Sequence, residues 1–247
     1  MVSLALYNLK GGVGKTAASV NLAYLSAAEN SKTLLWDLDP QGSSSFYLGV
    51  EASVKNESKK LLNTEIDITT TIQPSPYPHL DVIPADLSAR QADILLSEGK
   101  QSKKKLAALL APLKKSYDVV ILDCPPGISL LHDNIFNAAD WILMPNIPTT
   151  LSIRSYDTVV SYFKEHEFNT EKLKCFFSMV DHRKNLHHET MNSFYKDKVF
   201  FKNYIPYLSD VEKMGSHEAP LETFAASSYA AQCYRDLWKE IKKTCIQ

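Results

Sequence analysis

The sequence predicts an α/β fold, a mostly parallel twisted β-sheet flanked by helices on both faces. Three observations predict it. Short apolar runs alternate with longer stretches of helical periodicity, as in βαβ units. Most of these runs are apolar without alternation, as strands covered on both faces require. A glycine-rich turn joins the first run to the first helical stretch with no spacer between them. With 247 residues and 45% hydrophobic content, the chain suits one large domain better than two small ones.

The elements follow in order. Residues 2–7 form the first apolar run, and residues 16–29 carry Ala18, Leu22 and Leu25 at helical spacing. A second strand at 33–37 stops before Pro40. Residues 50–78 read as an irregular excursion, because they are polar and include Thr69, Thr71, Pro74, Pro76 and Pro78. Further strands are expected at 80–83, 118–122, 141–144, 173–179 and 199–201, and further helices at 87–96, 102–113, 152–166, 186–195 and 228–243. The last helix bears an apolar stripe of Tyr234, Leu237, Trp238 and Ile241, which reads as core packing. There is no internal repeat and no low-complexity tail.

Composition excludes some classes of protein. A formal net charge of -1 gives no global attraction to nucleic acid or membrane, so any such surface must be local. Cys124, Cys175, Cys233 and Cys245 are widely spaced and form no C-x-x-C pair, which points to buried free thiols in a reducing compartment. No segment approaches the roughly 18 apolar residues of a membrane span. No charged leader precedes the first strand, so a cytoplasmic location is expected.

Three motifs carry the chemistry. Lys10-Gly11-Gly12-Val13-Gly14-Lys15-Thr16 approximates the pattern G-x-x-x-x-G-K-[ST], with Leu9 in the place of the first glycine. Glycines let successive backbone N–H groups turn toward phosphate oxygens, Lys15 reaches the outer phosphates, and the Thr16 hydroxyl suits Mg²⁺. The following helix would present its positive N-terminus to the same anion. The bland alternative is a glycine turn without a ligand. The second motif, Asp37-Leu38-Asp39-Pro40-Gln41-Gly42, ends a strand in two carboxylates, where loops of a parallel sheet gather ligands. Asp39 is the candidate to orient an attacking water, and Asp37 to pair with a lysine or touch the metal's water shell. Ordinary turn chemistry is the alternative for this segment. The third motif, Asp123-Cys124-Pro125-Pro126-Gly127, follows a β-branched strand. Asp123 suits Mg²⁺, and the rigid Pro125-Pro126-Gly127 turn suits sensing of a γ-phosphate.

Together these segments resemble the deviant Walker A, A′ and B motifs of the ParA/MinD ATPases, in the same order, and the resemblance is nearest to small ParA/Soj-type partitioning proteins. Further matches lie at Leu80-Asp81-Val82-Ile83-Pro84-Ala85, at 179–186 and at Ile205-Pro206-Tyr207. The resemblance implies a Rossmann-like, three-layer P-loop NTPase domain spanning residues 1–247, with ATP and Mg²⁺ as cofactors. It implies that ATP joins two subunits in a sandwich homodimer and that Lys10 reaches across to the partner's phosphates. It places Lys10, Gly11, Gly12, Val13, Gly14, Lys15, Thr16, Ala17, Met179, Pro206 and Tyr207 at the nucleotide, and Thr16, Asp39 and Asp123 at the metal. Lys10, Lys15 and Asp39 take the catalytic roles.

The resemblance further implies non-specific DNA binding, association with the nucleoid, and hydrolysis stimulated by a ParB-like or other adaptor protein. Residues 183–202 hold Arg183, Lys184, Lys196, Lys198 and Lys202, and Lys239, Lys242 and Lys243 come later. Arg183, Lys184, Lys242 and Lys243 are the candidate DNA contacts, with a solvated charged face as the alternative. The basic residue that the family carries after Ile-Pro has no clear counterpart here, because residues 207–220 depart from the family's pattern. Two rival readings are a MinD-like membrane ATPase and a nucleotide-gated binding module with negligible turnover. A metal-cluster carrier would need paired cysteines, which the chain lacks.

Overall fold

In the computed structural model, which describes residues 1–53, 56–97 and 103–247, seven strands form one sheet. They are β1 (Val2–Leu6), β2 (Thr33–Asp37), β3 (Gln73–Pro74), β4 (Leu80–Ile83), β5 (Val119–Asp123), β6 (Trp141–Asn146) and β7 (Leu173–Phe177). Their order is β3-β4-β2-β5-β1-β6-β7, and every pairing is parallel except that of the short edge strand β3 with β4.

The helices are α1 (Lys15–Ala28), α2 (Ser43–Tyr47), α3 (Glu57–Leu62), α4 (Ala92–Ser97), α5 (Lys105–Leu110), α6 (Leu130–Ala138), α7 (Thr150–Glu165) and α8 (Asn185–Ser193). Short helices α9 (Ser209–Glu212), α10 (Met214–His217) and α11 (Leu221–Ala225) lead to α12 (Tyr229–Ile241), which closes in a π-turn. Successive strand residues divide between two cores. Ala5, Tyr7, Leu34, Trp36, Val120 and Leu122 face α4 to α7, while Leu4, Leu6, Leu35, Val119 and Ile121 face α1 and α12. This double burial is why the strands read as continuous apolar runs.

The stripe on α12 belongs to the second core: Tyr234, Leu237, Trp238 and Ile241 are 3%, 0%, 2% and 0% exposed. Burying such side chains stabilises by roughly 1.5–3 kcal/mol each. Detaching the helix so that all four met water would therefore cost about 6–12 kcal/mol, as much as a whole domain's stability. Among the described residues no helix is long and apolar enough to cross a membrane.

Several expectations change. The strand at 199–201 reduces to one parallel bridge between Cys175 and Phe200, because Asp197 turns the chain just before it. The helix at 87–96 divides into a 3₁₀ stretch, Leu87–Gln91, and α4. The helix expected at 102–113 comprises α5 and a 3₁₀ turn; Ser102, its expected start, lies outside the described residues. The excursion at 50–78, part of which also lies outside them, contains α3, a 3₁₀ turn and β3. Helix α6 has no counterpart among the expected elements. His132, Asp133 and Asn134 are buried in it alongside Leu131 and Ile135, so it has no polar face to mark its period.

Candidate functional site

The sheet order sets the site, because β1, β5 and β2 are neighbours and their carboxyl ends deliver all three motifs to one place. From β1 the chain passes through Asn8, whose Oδ1 accepts from Lys10 N at 2.9 Å and whose Nδ2 donates to Pro145 O at 2.8 Å. The start of the loop is thereby tied to the end of β6. Leu9, in the place of the motif's first glycine, packs against the first core. Gly12 and Gly14 take left-handed conformations, at φ 70° and 89°. No side chain caps α1, so its first N–H groups face the loop as an anion site.

Gly14 is required on two grounds. A Cβ there would lie 2.8 Å from Ser178 Oγ, and its φ disfavours any L side chain. Such strain costs about 1–3 kcal/mol. Gly14→Ala should therefore lower Tm by about 2–12 °C in a calorimetric scan, and an unchanged Tm would contradict this packing.

Lys15 is buried, and its Nζ donates to Lys10 O at 2.9 Å. Burial lowers its pKa, against the opposing pull of Asp123, Cys124 and Asp39. Lys10 behaves differently: its Nζ donates to Leu151 O, in the first turn of α7, at 2.7 Å. The cradle of its own chain therefore does not hold this second lysine.

Asp37 and Asp123 are register partners on β2 and β5, and both are buried. Asp123 Oδ1 accepts from Ser19 Oγ at 2.9 Å, whereas Oδ2 is buried without a hydrogen-bond partner. Burial and the neighbouring Asp37 push the Asp123 carboxyl up to about 7, with the hydroxyls of Ser19, Thr16 and Ser44 pulling it part of the way back. A buried carboxylate with a free oxygen beside a threonine hydroxyl is a donor set that fits a hard divalent cation.

Among the described residues Asp37 is not paired with a lysine, one of the two roles the sequence suggested for it. Its Oδ2 accepts from Ser45 N at 2.9 Å and Ser45 Oγ at 2.7 Å, and its Oδ1 from Asp39 N at 3.2 Å. Its carboxylate thus fastens the start of α2 beneath the ligand loops. Asp39 is half-buried at the turn that follows, and its Oδ1 accepts from Gln41 N at 3.0 Å.

The turn after Asp123 is tied to the end of β1 and to the cradle. Cys124 N donates to Leu6 O at 3.3 Å and Gly127 N to Leu9 O at 3.1 Å, and the two prolines between them have no N–H. In this arrangement the backbone from 124 to 127 offers no free donor to a phosphate.

Met179, Pro206 and Tyr207 come together as a continuation beyond β7: Val180 bridges Pro206, and Tyr207 N donates to Val180 O at 2.9 Å. Met179 holds φ 55°, and its neighbour Ser178 is the residue that crowds Gly14, so this surface adjoins the cradle. The candidate DNA contacts do not assemble. Arg183 and Lys184 follow β7 at the carboxyl end of the sheet, and the Arg183 guanidinium pairs with Asp181 at 2.9 Å. Lys242 bonds Glu29 at 2.8 Å beyond the far end of α1, with Lys243 beside it. A helix of 14 residues separates these positions, about 21 Å at ~1.5 Å per residue. Ser19, Ser45 and Ser178 were not found from the sequence. For Ser19 alone a signal existed, since it stands one helical turn after Lys15.

A parallel sheet whose first strand runs through a glycine loop into an uncapped helix defines a P-loop nucleotide-binding protein. Residues 1–174 match a family model described as an AAA domain. The chain is 32% identical to the sporulation initiation inhibitor protein Soj of Bacillus subtilis, covering 96% of this chain and 97% of that one. It is 29% identical to the chromosome-partitioning ATPase Soj of Treponema pallidum, over 97% and 96%. Its fold matches that of the cell division ATPase MinD of Pyrococcus furiosus with a TM-score of 0.79 at 20% identity, over 98% of each chain. The chain belongs to the ParA/MinD family of ATPases, with Soj proteins among its relatives.

Proposed function

We propose that this chain is a Mg²⁺-dependent partitioning ATPase that closes into a homodimer on ATP and is reset by hydrolysis. One observation carries the reading: the uncapped start of α1 and the buried Lys15 lie beside Asp123, whose second carboxylate oxygen has no partner. An anion and a cation bound together satisfy both.

In this reading the N–H groups of residues 11–17 and the Lys15 ammonium take the phosphates. Lys15 then exchanges the Lys10 carbonyl for a phosphate oxygen. Thr16, Asp123 and Asp39 would hold Mg²⁺, which when bound would supply charge neutralisation at the phosphates. Asp39 orients the attacking water through a carboxylate that projects from a turn and not from the buried sheet. The base lies toward Met179, Pro206 and Tyr207. Lys10, already directed away from its own cradle, reaches the phosphates of a second subunit, so dimerisation depends on ATP.

Relatives that bear the names partitioning ATPase and Soj support positioning of a DNA or protein cargo, with a ParB-like or other adaptor to stimulate hydrolysis. Non-specific DNA binding at the nucleoid is assigned to the dimer. Arg183 and Lys184 are its candidate contacts, since they lie at the nucleotide end of the sheet. The membrane reading is not favoured, because the apolar stripe of α12 is committed to the core.

The test is light scattering with ATP and with ADP. The wild-type protein should double its mass only in ATP. Lys10→Ala should bind ATP within about threefold of wild type yet remain monomeric; a dimer formed by that variant would refute the shared-lysine role. Co-sedimentation with DNA at two salt concentrations tests the cargo side, where binding should require ATP and fall steeply with salt. ATP-dependent capture by lipid vesicles without DNA binding would instead support the membrane reading.

A further inference from the structure

We propose that Tyr7 and His132 are positioning residues for hydrolysis, a buried lock that bolts the loop following Asp123, residues 124–127, to the phosphate cradle. The inference rests on the hydrolytic reading above and concerns how that site is held in register.

Residues 124–127 have no ladder of their own. Cys124 N and Gly127 N are committed to Leu6 O and Leu9 O, and Pro125 and Pro126 lack an N–H. The carbonyls of this loop must therefore be held from outside it. Tyr7 Oη donates to Gly127 O at 2.9 Å, and His132 Nε2 meets Pro125 O at 3.0 Å. A carbonyl only accepts, so His132 carries its proton on Nε2, and Nδ1 accepts from Ser129 Oγ at 3.0 Å. The loop is gripped on both sides of Pro126.

The two grips form one unit. Tyr7 and His132 are 0% and 2% exposed, their rings lie 5.3 Å apart, and Phe136 packs edge-on against Tyr7 at 4.9 Å. Gly127 has φ 109°, a conformation that an unsupported loop would readily leave. Tyr7 follows directly on β1, three residues before Lys10, and His132 sits in the first turn of α6. One donor thus comes from the cradle's own strand and the other from the helix that follows the metal strand. Ångström-scale drift between the cradle and the loop that follows Asp123 can cost about 10²-fold in rate. Rigidly packed supporting groups are what prevent such drift.

Packing alone would explain the burial of both rings but not the paired donation to the two carbonyls that flank Pro126. Tyr7→Phe separates these explanations, since it keeps the ring and removes only the hydroxyl. Likewise His132→Gln retains a donor toward Pro125 O, whereas His132→Leu does not. The experiment measures kcat and KM for MgATP, the Kd for ADP, and amide hydrogen exchange of residues 124–129 in the full chain. Tyr7→Phe and His132→Leu should lower kcat at least fivefold, with KM and ADP affinity within twofold of wild type. They should also speed exchange at 127–129 at least tenfold, and His132→Gln should stay within twofold of wild type throughout. A folded Tyr7→Phe protein with wild-type kcat and unchanged exchange overturns the proposal. So does a matched loss of kcat and ADP affinity, which would mark a collapsed cradle. If His132→Leu does not fold, Tyr7→Phe decides. A wild-type protein that binds ATP without turning it over would contradict the hydrolytic reading, and the exchange of Tyr7→Phe would still judge the lock.

Discussion

Replacement of Lys15 by alanine is expected to weaken ATP binding at least about 100-fold, or roughly 2.7 kcal/mol. The reason lies in what surrounds the ammonium. Lys15 is buried beside Asp123 and Asp39, and Asp123 is itself the neighbour of buried Asp37. Without Lys15 an incoming triphosphate would meet two buried carboxylates and the helix N-terminus alone. The helix end contributes at most about 2 kcal/mol, too little to offset the repulsion. The backbone of the loop should survive, because its glycines and the anchoring of Asn8 do not depend on the lysine. Titration calorimetry with ATP on a variant shown to be folded checks this, and binding within threefold of wild type would remove Lys15 from the phosphate site.

Asp39→Ala is expected to separate binding from hydrolysis. Among the described residues its carboxylate accepts a hydrogen bond only from Gln41 N, and it stands half-exposed at the turn while Asp37 and Asp123 are buried in the sheet. Loss of a group that positions or deprotonates a nucleophile typically costs 10²–10⁴-fold. We expect turnover to fall by about 10²-fold or more while ATP affinity changes little and the ATP dimer still forms. Steady-state phosphate release and light scattering on the same sample test both halves. A variant that stays monomeric in ATP, or that hydrolyses at the wild-type rate, would count against the water-orienting role. The contrast with Asp37 sharpens the test: Asp37→Ala should act on stability, since it removes the acceptor for Ser45 N and Oγ.

The phosphate motifs were legible because each is short and its chemistry is local. Glycines at 12 and 14 announce the left-handed turns, and Lys15 and Thr16 announce a triphosphate and its metal. Strands β1, β2, β4, β5 and β6 were legible because double burial leaves a continuous apolar run. The role of Asp37 was not, since a strand-end carboxylate looks the same whether it meets a cation or caps a serine turn. Helix α6 was hidden by its buried polar residues, and with it His132. Tyr7 read as one more apolar strand residue, because nothing nearby in sequence reveals that its hydroxyl meets Gly127, 120 residues later.

The sequence by itself determined the fold class, the phosphate cradle and the two acidic strand ends, because glycine conformations, helix polarity and strand burial are local consequences of residue type. Tertiary structure alone decided the rest. Strand order placed Asp37 beside Asp123 and left one carboxylate oxygen without a partner. It separated Arg183 and Lys184 from Lys242 and Lys243 by the length of a helix, and it turned Tyr7 and His132 into a clamp on the Pro-Pro loop. Each of these depends on which distant segments share an edge of the sheet. That is settled by the packing of two cores around seven strands and not by any neighbouring residue.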